Sequence, residues 1–310
     1  MNIVCLDAIT LGDDVDLGVF SSFGEFKSYQ STKPEQTIER LKDADIVITN
    51  KVLITREVID ATNLKLICVA ATGTNNVDTE YAKTKGIPVK NVAGYSTPSV
   101  VQQTFASILA LINQTAYYDD YCKDGSWARS GIFTHLDRSI DELAMMRFGI
   151  IGLGEIGRSV AKVASAFGAQ VCYYSTSGAN SNSEYERLEL DELLRICDIV
   201  SIHAPLNERT KGLIGERELS LMKNGAVLVN FGRGGIVDEV ALAQAIDERG
   251  LRAAIDVLES EPPKADNPLL SLKHKERLLL TPHIAWAGKE ARVRLVAKIA
   301  DNIKQFLQGA

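Results

Sequence analysis

An α/β fold built from two parallel sheets, each with helices on both faces, is predicted by three observations. Short apolar runs alternate with helical patterns along the whole chain, and such alternation calls for parallel strands joined by helical crossovers. At 310 residues the chain exceeds one ordinary core, so two domains of about 100–200 residues are expected. Midway along, the apolar run Phe148-Gly149-Ile150-Ile151 passes straight into a glycine-rich turn, Gly152-Leu153-Gly154-Glu155-Ile156-Gly157.

The first half reads in order as strand 3–6, helix 35–41, strand 45–49, a helix at 55–62 capped by Thr55, strand 66–70, a helix at 79–85 closed by Gly86, and a short strand at 87–92. Ala71-Thr72-Gly73-Thr74-Asn75-Asn76-Val77 follows the carboxyl end of a strand, where ligands of open α/β sheets bind. Gly73 there lets backbone N–H groups face an anion. A plain Asn-rich turn is the alternative reading. A long helix then starts near Thr97, with Val100, Val101, Phe105, Ile108, Leu109 and Ile112 as its apolar set. Residues 119–147 are expected to be irregular. Their aromatics, Trp127 and Phe133, suit either an arm making a dimer contact or a loop folded back on its own domain.

The second half reads as helix 156–168, strand 169–174, helix 190–197, strand 198–203, helix 218–222, strand 226–230, a helix at 238–248 ended by Gly250, and strands 253–257 and 278–281. A proline-rich loop, Glu261-Pro262-Pro263 to Asn267-Pro268, separates the last two strands. From Lys289 a basic amphipathic helix runs nearly to the end, long enough to return to the first domain.

Composition narrows the function. Hydrophobic residues make up 45% and charged residues 24%, the balance of a soluble globular protein. The net charge of −6 disfavours a nucleic-acid partner and leaves a small anionic substrate open. Five scattered cysteines read as buried thiols of a reducing compartment, not as disulfides or metal ligands. No apolar run approaches about 18 residues and no leader pattern opens the chain, so a cytoplasmic protein is expected, with no membrane span.

The glycine turn fits the G-x-G-x-x-G fingerprint of dinucleotide binding. Gly152 permits the turn, Gly154 lets backbone approach a pyrophosphate, and Gly157 lets the helix lie against the sheet. Three polar residues then fall at strand ends: Arg233 after 226–230, Glu261 after 253–257 and His283 after 278–281. A histidinium can protonate a carbonyl oxygen as hydride arrives at carbon, a carboxylate beside it favours its charged form, and an arginine can fork onto a substrate carboxylate. His203, also at a strand end, reads as a wall of the cofactor site, because no carboxylate lies near it in sequence. His135 and His274 read as exposed loop residues.

Five ordered pieces resemble the D-isomer-specific 2-hydroxyacid dehydrogenase family. They are Gly152–Gly157, His203-Ala204-Pro205-Leu206-Asn207-Glu208-Arg209-Thr210, Asn230-Phe231-Gly232-Arg233-Gly234-Gly235-Ile236-Val237-Asp238, Asp256-Val257-Leu258-Glu259-Ser260-Glu261-Pro262 and Thr281-Pro282-His283. Residues 71–78 and 91–97 are similar to its glycerate dehydrogenase (hydroxypyruvate reductase) branch; residues 1–65 are the least distinctive. The resemblance implies two Rossmann-like doubly wound parallel-sheet domains with a cleft between them: a discontinuous substrate domain, 1–97 with 287–310, and a dinucleotide-binding domain, 98–286. It implies His283 as acid/base, Glu261 as its partner and Arg233 on the substrate carboxyl and carbonyl. Backbone groups of Thr72, Gly73 and Thr74 would hold the substrate carboxylate. The cofactor would be met by Gly152, Leu153, Gly154, Glu155, Ile156, Gly157, Ser175, His203, Ala204, Pro205, Thr210, Phe231, Gly232, Asp256 and His283, with Asp256 at the nicotinamide carboxamide. No metal is implied. The family is usually dimeric, which favours the arm reading of 119–147 and a homodimer.

The implied reaction is reduction of a small 2-keto acid to a D-2-hydroxy acid, with hydroxypyruvate to D-glycerate leading and glyoxylate or another 2-keto acid as the alternative. A dinucleotide-sensing, corepressor-like binding protein is the reading from another class. One departure bears on the cofactor. The strand at 169–174 ends in Ser175-Thr176-Ser177-Gly178, without the acid that would bond a ribose 2′-OH about 20 residues past the loop. No arginine or lysine occurs from 171 to 186 to grip a 2′-phosphate. NAD(H) is therefore expected over NADP(H), although serine hydroxyls can bond either group.

Overall fold

The short apolar runs at Ile46–Thr49, Leu66–Val69, Ile199–Ile202 and Val227–Asn230 form strands, because aliphatic side chains buried on both faces suit parallel pairing between helical layers. The computed structural model describes residues 1–180 and 182–309. It divides into two units, residues 1–96 with residues 287 onward, and residues 97–286.

In the first unit the strands are β1 (Asn2–Cys5), β2 (Glu25–Ser28), β3 (Ile46–Thr49), β4 (Leu66–Val69) and β5 (Val89–Lys90). They form one parallel sheet in the order β2-β1-β3-β4-β5. The helices are α1 (Thr37–Leu41), α2 (Arg56–Asp60) and α3 (Thr79–Thr84). The Thr55 hydroxyl accepts the Val58 N–H at 3.4 Å, as its capping role requires. Gly86, at φ +72°, ends the turn after α3.

The second unit begins with α4 (Thr97–Ile112), α5 (Thr115–Lys123) and α6 (Ser126–Ser130). It continues through β6 (Arg147–Ile151), α7 (Glu155–Ala166), β7 (Gln170–Tyr174), β8 (Glu186–Arg187), α8 (Leu190–Ile196), β9 (Ile199–Ile202), α9 (Glu216–Leu221), β10 (Val227–Asn230), α10 (Glu239–Arg249), β11 (Arg252–Ile255) and β12 (Leu278–Leu280). Its seven strands are parallel in the order β12-β11-β10-β9-β6-β7-β8. Side-chain alternation decides the faces. Val227 and Val229 join Phe148, Ile150 and Tyr173 on the face covered by α4 and α7. Leu228 joins Val200, Ile202 and Ala253 on the face covered by α8 and α10.

Helix α11 (Lys289–Leu307) belongs to the first unit. It buries Leu295, Val296, Ile299 and Ile303. Arg292 pairs with Asp14, Arg294 Nε donates to Tyr95 O at 3.1 Å, and Lys298 Nζ donates to Ala93 O at 2.9 Å.

Four elements had no apolar signal. The edge strands β2 and β8 are largely exposed and carry Glu25, Lys27, Glu186 and Arg187, charges that suit an unpaired edge. Residues 119–147, expected to be irregular, begin in the helices α5 and α6. Neither helix buries a residue, so neither shows a helical apolar stripe. Rings hold this segment instead: Tyr121 stacks on His135 at 3.8 Å, and Tyr117 Oη meets His135 Nε2 at 2.8 Å. His135 is thus ring-packed and largely covered, where an exposed residue was expected.

Gly157 tests the packing of α7 on the sheet. Alanine is ordinarily about 1 kcal/mol better than glycine inside a helix. A Cβ here, however, would stand 2.2 Å from the Gly152 carbonyl oxygen, a backbone atom with little room to yield. Gly157→Ala is therefore expected to destabilise the protein by about 1–3 kcal/mol. A lower urea midpoint would show it; an unchanged or raised midpoint would mean the close approach does not constrain the fold.

Candidate functional site

Strand order in the second unit reverses between β6 and β9, which leaves a crevice at their carboxyl ends. Gly152 follows β6 at φ +92°, and a Cβ on it would lie 2.9 Å from the backbone of Ala204, which follows β9. The two loops therefore touch, and only a glycine fits. Helix α7 starts without a side-chain cap at Gly154. Among the described residues, the N–H groups of Gly154, Glu155 and Ile156 have no hydrogen-bond partner. A Cβ at Gly154 would meet nothing within 4 Å, so the approach to these donors is open. Uncapped N–H groups at the positive end of a helix are an anion site.

A cavity of about 510 Å³ opens beside this turn, walled by Gly154, the 175–180 turn and the 203–209 loop. Its polar wall comes from Ser175, Ser177, Asn180, Asn207, Glu208 and Arg209. Asn180 Nδ2 donates to Leu153 O at 2.6 Å and ties the 175–180 turn to the glycine turn. The Glu155 side chain turns away and accepts the Thr97 hydroxyl at 2.7 Å. Thr210 is buried. Its hydroxyl donates to Pro205 O at 2.6 Å and accepts from Asn207 N at 2.8 Å, so it holds the loop's shape from behind and does not line the cavity.

His203 lines the cavity and is neutral, because burial pushes its pKa down to about 3. Nε2 meets the Ser201 hydroxyl at 2.8 Å, two residues back on the same strand face. Nδ1 is buried without a partner among the described residues. Leaving such an atom unmet costs about 1–3 kcal/mol, so a ligand bearing a polar group at this wall would gain by meeting it. The open helix N-terminus, the glycine approach and this unmet nitrogen together fit a dinucleotide. Gly152, Leu153, Gly154, Ser175, His203 and Pro205 would border it.

The other candidates gather at the opposite half of the same sheet edge, where β10, β11 and β12 are neighbours. Glu261 Oε2 meets His283 Nδ1 at 2.7 Å, and Glu261 Oε1 accepts the Leu258 N–H at 3.0 Å. The imidazole Nε2 has no hydrogen-bond partner among the described residues. Arg233 follows β10, in a loop kept close to the 258–259 backbone. A Cβ on its neighbour Gly234 would stand 1.9 Å from Leu258 O. Asn230, at the end of β10, braces this loop: Nδ2 donates to Arg233 O at 3.0 Å and Oδ1 accepts from Gly232 N at 3.2 Å. Phe231 is buried in the core at the foot of this loop.

Asp256 has a role that its position in the sequence does not reveal. It is buried, and its two oxygens accept the Thr281 hydroxyl at 2.5 Å, Ile284 N at 2.9 Å and Ala285 N at 2.8 Å. Three donors offset the cost of burying its polar oxygens. They also bracket His283, which sits at φ +54°, a left-handed conformation costing about 1–2 kcal/mol in a residue with a Cβ. Its carboxylate, expected at the nicotinamide carboxamide, thus has the prior task of holding the loop that carries the histidine.

Thr72, Gly73 and Thr74 lie in the first unit, after β4. The Thr72 side chain donates to Val92 O at 3.1 Å, while the N–H groups of Gly73 and Thr74 have no partner among the described residues. Two unpaired donors on adjacent residues suit a carboxylate. Motif reading passed over Asn180 and Asp7. Asp7 accepts the N–H groups of Asn50 at 2.9 Å and Lys51 at 2.6 Å and shapes the loop after β3. It also passed over Arg209 as a cation beside the 175–178 turn: its Nη1 donates to Ser177 O at 2.9 Å across 32 residues of sequence.

Comparison with known proteins agrees with this geometry. Residues 105–285 match the model of the D-isomer specific 2-hydroxyacid dehydrogenase, NAD binding domain. A hydroxypyruvate reductase of Blautia hydrogenotrophica is 37% identical over 100% of this chain and 98% of its own length. A glyoxylate reductase of Aeropyrum pernix is 37% identical over 91% of this chain and 85% of its own. The crystal structure of D-lactate dehydrogenase from Aquifex aeolicus, complexed with NAD and lactic acid, superposes with a TM-score of 0.86 at 27% identity, covering 100% of this chain and 96% of that one.

His203 gives the fold a pH dependence. Its pKa is about 3 in the fold and ordinarily 6.5. Between these values the unfolded chain binds a proton that the folded one refuses, so stability rises with pH through this window and is lost as pH falls. The slope from this one group is at most about 1.4 kcal/mol per pH unit. Urea unfolding at pH 7, 5 and 4 should show a flatter acid limb for His203→Gln. Parallel losses in parent and variant would mean that His203 does not set it.

Proposed function

The chain belongs to the D-isomer-specific 2-hydroxyacid dehydrogenase family, and from that premise we propose that it reduces hydroxypyruvate to D-glycerate with NADH. The observation that supports the chemistry most directly is the His283–Glu261 pair at 2.7 Å. When bound, a reduced nicotinamide supplies the hydride. His283 holds a proton at Nε2 for the substrate's carbonyl oxygen. Glu261, fixed by the Leu258 N–H, favours the imidazolium and orients the ring. Arg233 offers a guanidinium to the substrate carboxylate and polarises the carbonyl. His203, being neutral, is a wall and not an acid.

The choice of hydroxypyruvate rests on the Thr72–Thr74 and 91–97 segments, which resemble the glycerate dehydrogenase branch, and on a hydroxypyruvate reductase relative that matches end to end. The reading extends to a cytoplasmic homodimer. Cys172 and Cys197 face each other as buried thiols at 3.4 Å, which suits a reducing compartment. Among the described residues no helix is long and apolar enough to cross a membrane. The 126–145 segment exposes Phe133 at 89% and Leu136 at 78%, an apolar surface suited to a second copy.

Three measurements test this. In a screen of hydroxypyruvate, glyoxylate, pyruvate and phosphohydroxypyruvate, hydroxypyruvate should give the highest kcat/KM; a tenfold preference for another acid would overturn the substrate. His283→Ala should lower kcat by about 10²–10⁴-fold while dinucleotide binding persists, and Arg233→Lys should chiefly raise KM, since an ammonium lacks the planar fork. Wild-type turnover in the first or an unchanged KM in the second would remove those roles. For the dimer, Phe133→Asp with Leu136→Asp should move the sedimenting species toward monomer at micromolar concentration, and an unshifted distribution would place the interface elsewhere.

A further inference from the structure

Glu261 reaches His283 from a loop that has little of its own to hold it. Residues 259–266 are all exposed, and the buried apolar side chains nearest to them, Leu258 and Leu269, lie beyond the two ends. The bonds inside the loop are local: Glu261 Oε1 accepts the Leu258 N–H at 3.0 Å, and Asn267 N donates to Lys264 O at 3.1 Å. Exposed backbone of this kind keeps its conformational freedom unless something ties it down. A side chain from another element does so. Glu239 Oε1 accepts the Glu259 N–H at 2.7 Å, and Glu239 Oε2 accepts from Asn267 Nδ2 at 2.6 Å. The two bonds fall at the two ends of the loop, so a single carboxylate closes it. Asn267 cannot turn its amide without loss, because its Oδ1 already accepts the Leu269 N–H at 3.0 Å. The mount is rigid. Glu239 is the first residue of α10, whose start is capped by Asp238: Oδ1 accepts from Val240 N at 2.9 Å and Ala241 N at 3.0 Å. Behind it Ala241, Leu242, Ala245 and Ile246 are buried. The connection from β10 to α10 also carries Arg233, and a Cβ on Gly234 would stand 2.7 Å from Glu259 N. This connection therefore meets the Glu261 loop by close backbone approach beside Arg233 and again by the Glu239 carboxylate.

We propose that Glu239 is a positioning residue for the reaction: by joining Glu259 to Asn267 it keeps Glu261 at His283, and without it the pair is formed for only part of the time. The proposal rests on the reading of His283 and Glu261 as the reacting pair and deepens it. The oxygens of Glu239 bond to the loop and not to the imidazole, so its effect passes through the loop. Placement matters because proton transfer needs hydrogen-bond distance, and a displacement of about 1 Å can cost about 100-fold in rate. Both oxygens are used. An amide in place of the carboxylate keeps one acceptor and turns the other into a donor, set against the Asn267 amide.

Steady-state kinetics of the full chain with NADH and hydroxypyruvate, and in parallel with glyoxylate, test this. Glu239→Ala should lower kcat by about 10–100-fold and leave the Kd for NADH at the parent's value, and Glu239→Gln should keep part of the lost rate. In a Glu261→Ala background the added Glu239→Ala should change kcat by less than about twofold, because nothing is left for Glu239 to position. A second measurement needs no turnover. Trypsin should cut after Lys264 about tenfold faster in Glu239→Ala than in the parent, since cleavage follows the population of the opened loop. Equal losses of kcat in both backgrounds, an unchanged kcat in a variant that melts with the parent, or unchanged cleavage at Lys264 would overturn the proposal and leave the dehydrogenase reading standing. Parent-like turnover in Glu261→Ala, or a parent that turns over neither acid, would overturn both.

Discussion

The loop that carries His283 is fastened by one buried carboxylate. Asp256 follows the strand β11, and its oxygens accept three donors from residues 281–285. Those bonds fasten the loop after β12 to its neighbour and hold His283 in a backbone conformation it would not adopt alone. The same strand end leads into the segment whose Leu258 N–H fixes Glu261. His283 and Glu261 are therefore positioned by the two sides of one connection, and three donors replace the water that Asp256 loses on burial.

Two histidines at the same sheet edge have different surroundings. His203 is enclosed, with a serine hydroxyl on one nitrogen and no partner on the other, and burial keeps it uncharged. His283 meets the Glu261 carboxylate at 2.7 Å through Nδ1. Placement on the sheet separates an enclosed imidazole from one paired with a carboxylate, although both residues lie just past a strand end.

Close backbone approach sets the cofactor end of the molecule. Gly152 meets Ala204 and Gly157 meets the Gly152 carbonyl at distances that exclude a Cβ. The helix start stays uncapped, and Gly154 at its head borders the cavity. The turn after β7 is then drawn in by Asn180 on Leu153 O and by Arg209 on Ser177 O. The pocket is thus built from three loops that meet only because β6 lies between β7 and β9.

Much of this was legible in the chain itself, and the reason is that the signals are local. Parallel strands buried on both faces appear as unbroken apolar runs. Caps such as Thr55 and helix ends such as Gly86 and Gly250 act within a few residues, and residues at strand ends mark where ligands gather. Arg233, Glu261 and His283 stood out on those grounds. The edge strands β2 and β8 and the helices α5 and α6 did not, because exposed elements carry no apolar periodicity. Nor did the sequence show that Asp256 anchors the His283 loop, that Thr210 supports its own loop from behind, or that Arg209 lies against the 175–178 turn. Each of these depends on which strands become neighbours and which donor reaches a shared acceptor first. By itself the sequence determined the order of elements, the glycine turn and the reactive residue types. Only the tertiary structure decided which loops meet and which polar groups remain unmet, because parallel pairing joins segments far apart in the chain and buried polar atoms take whatever partner the packing brings within reach.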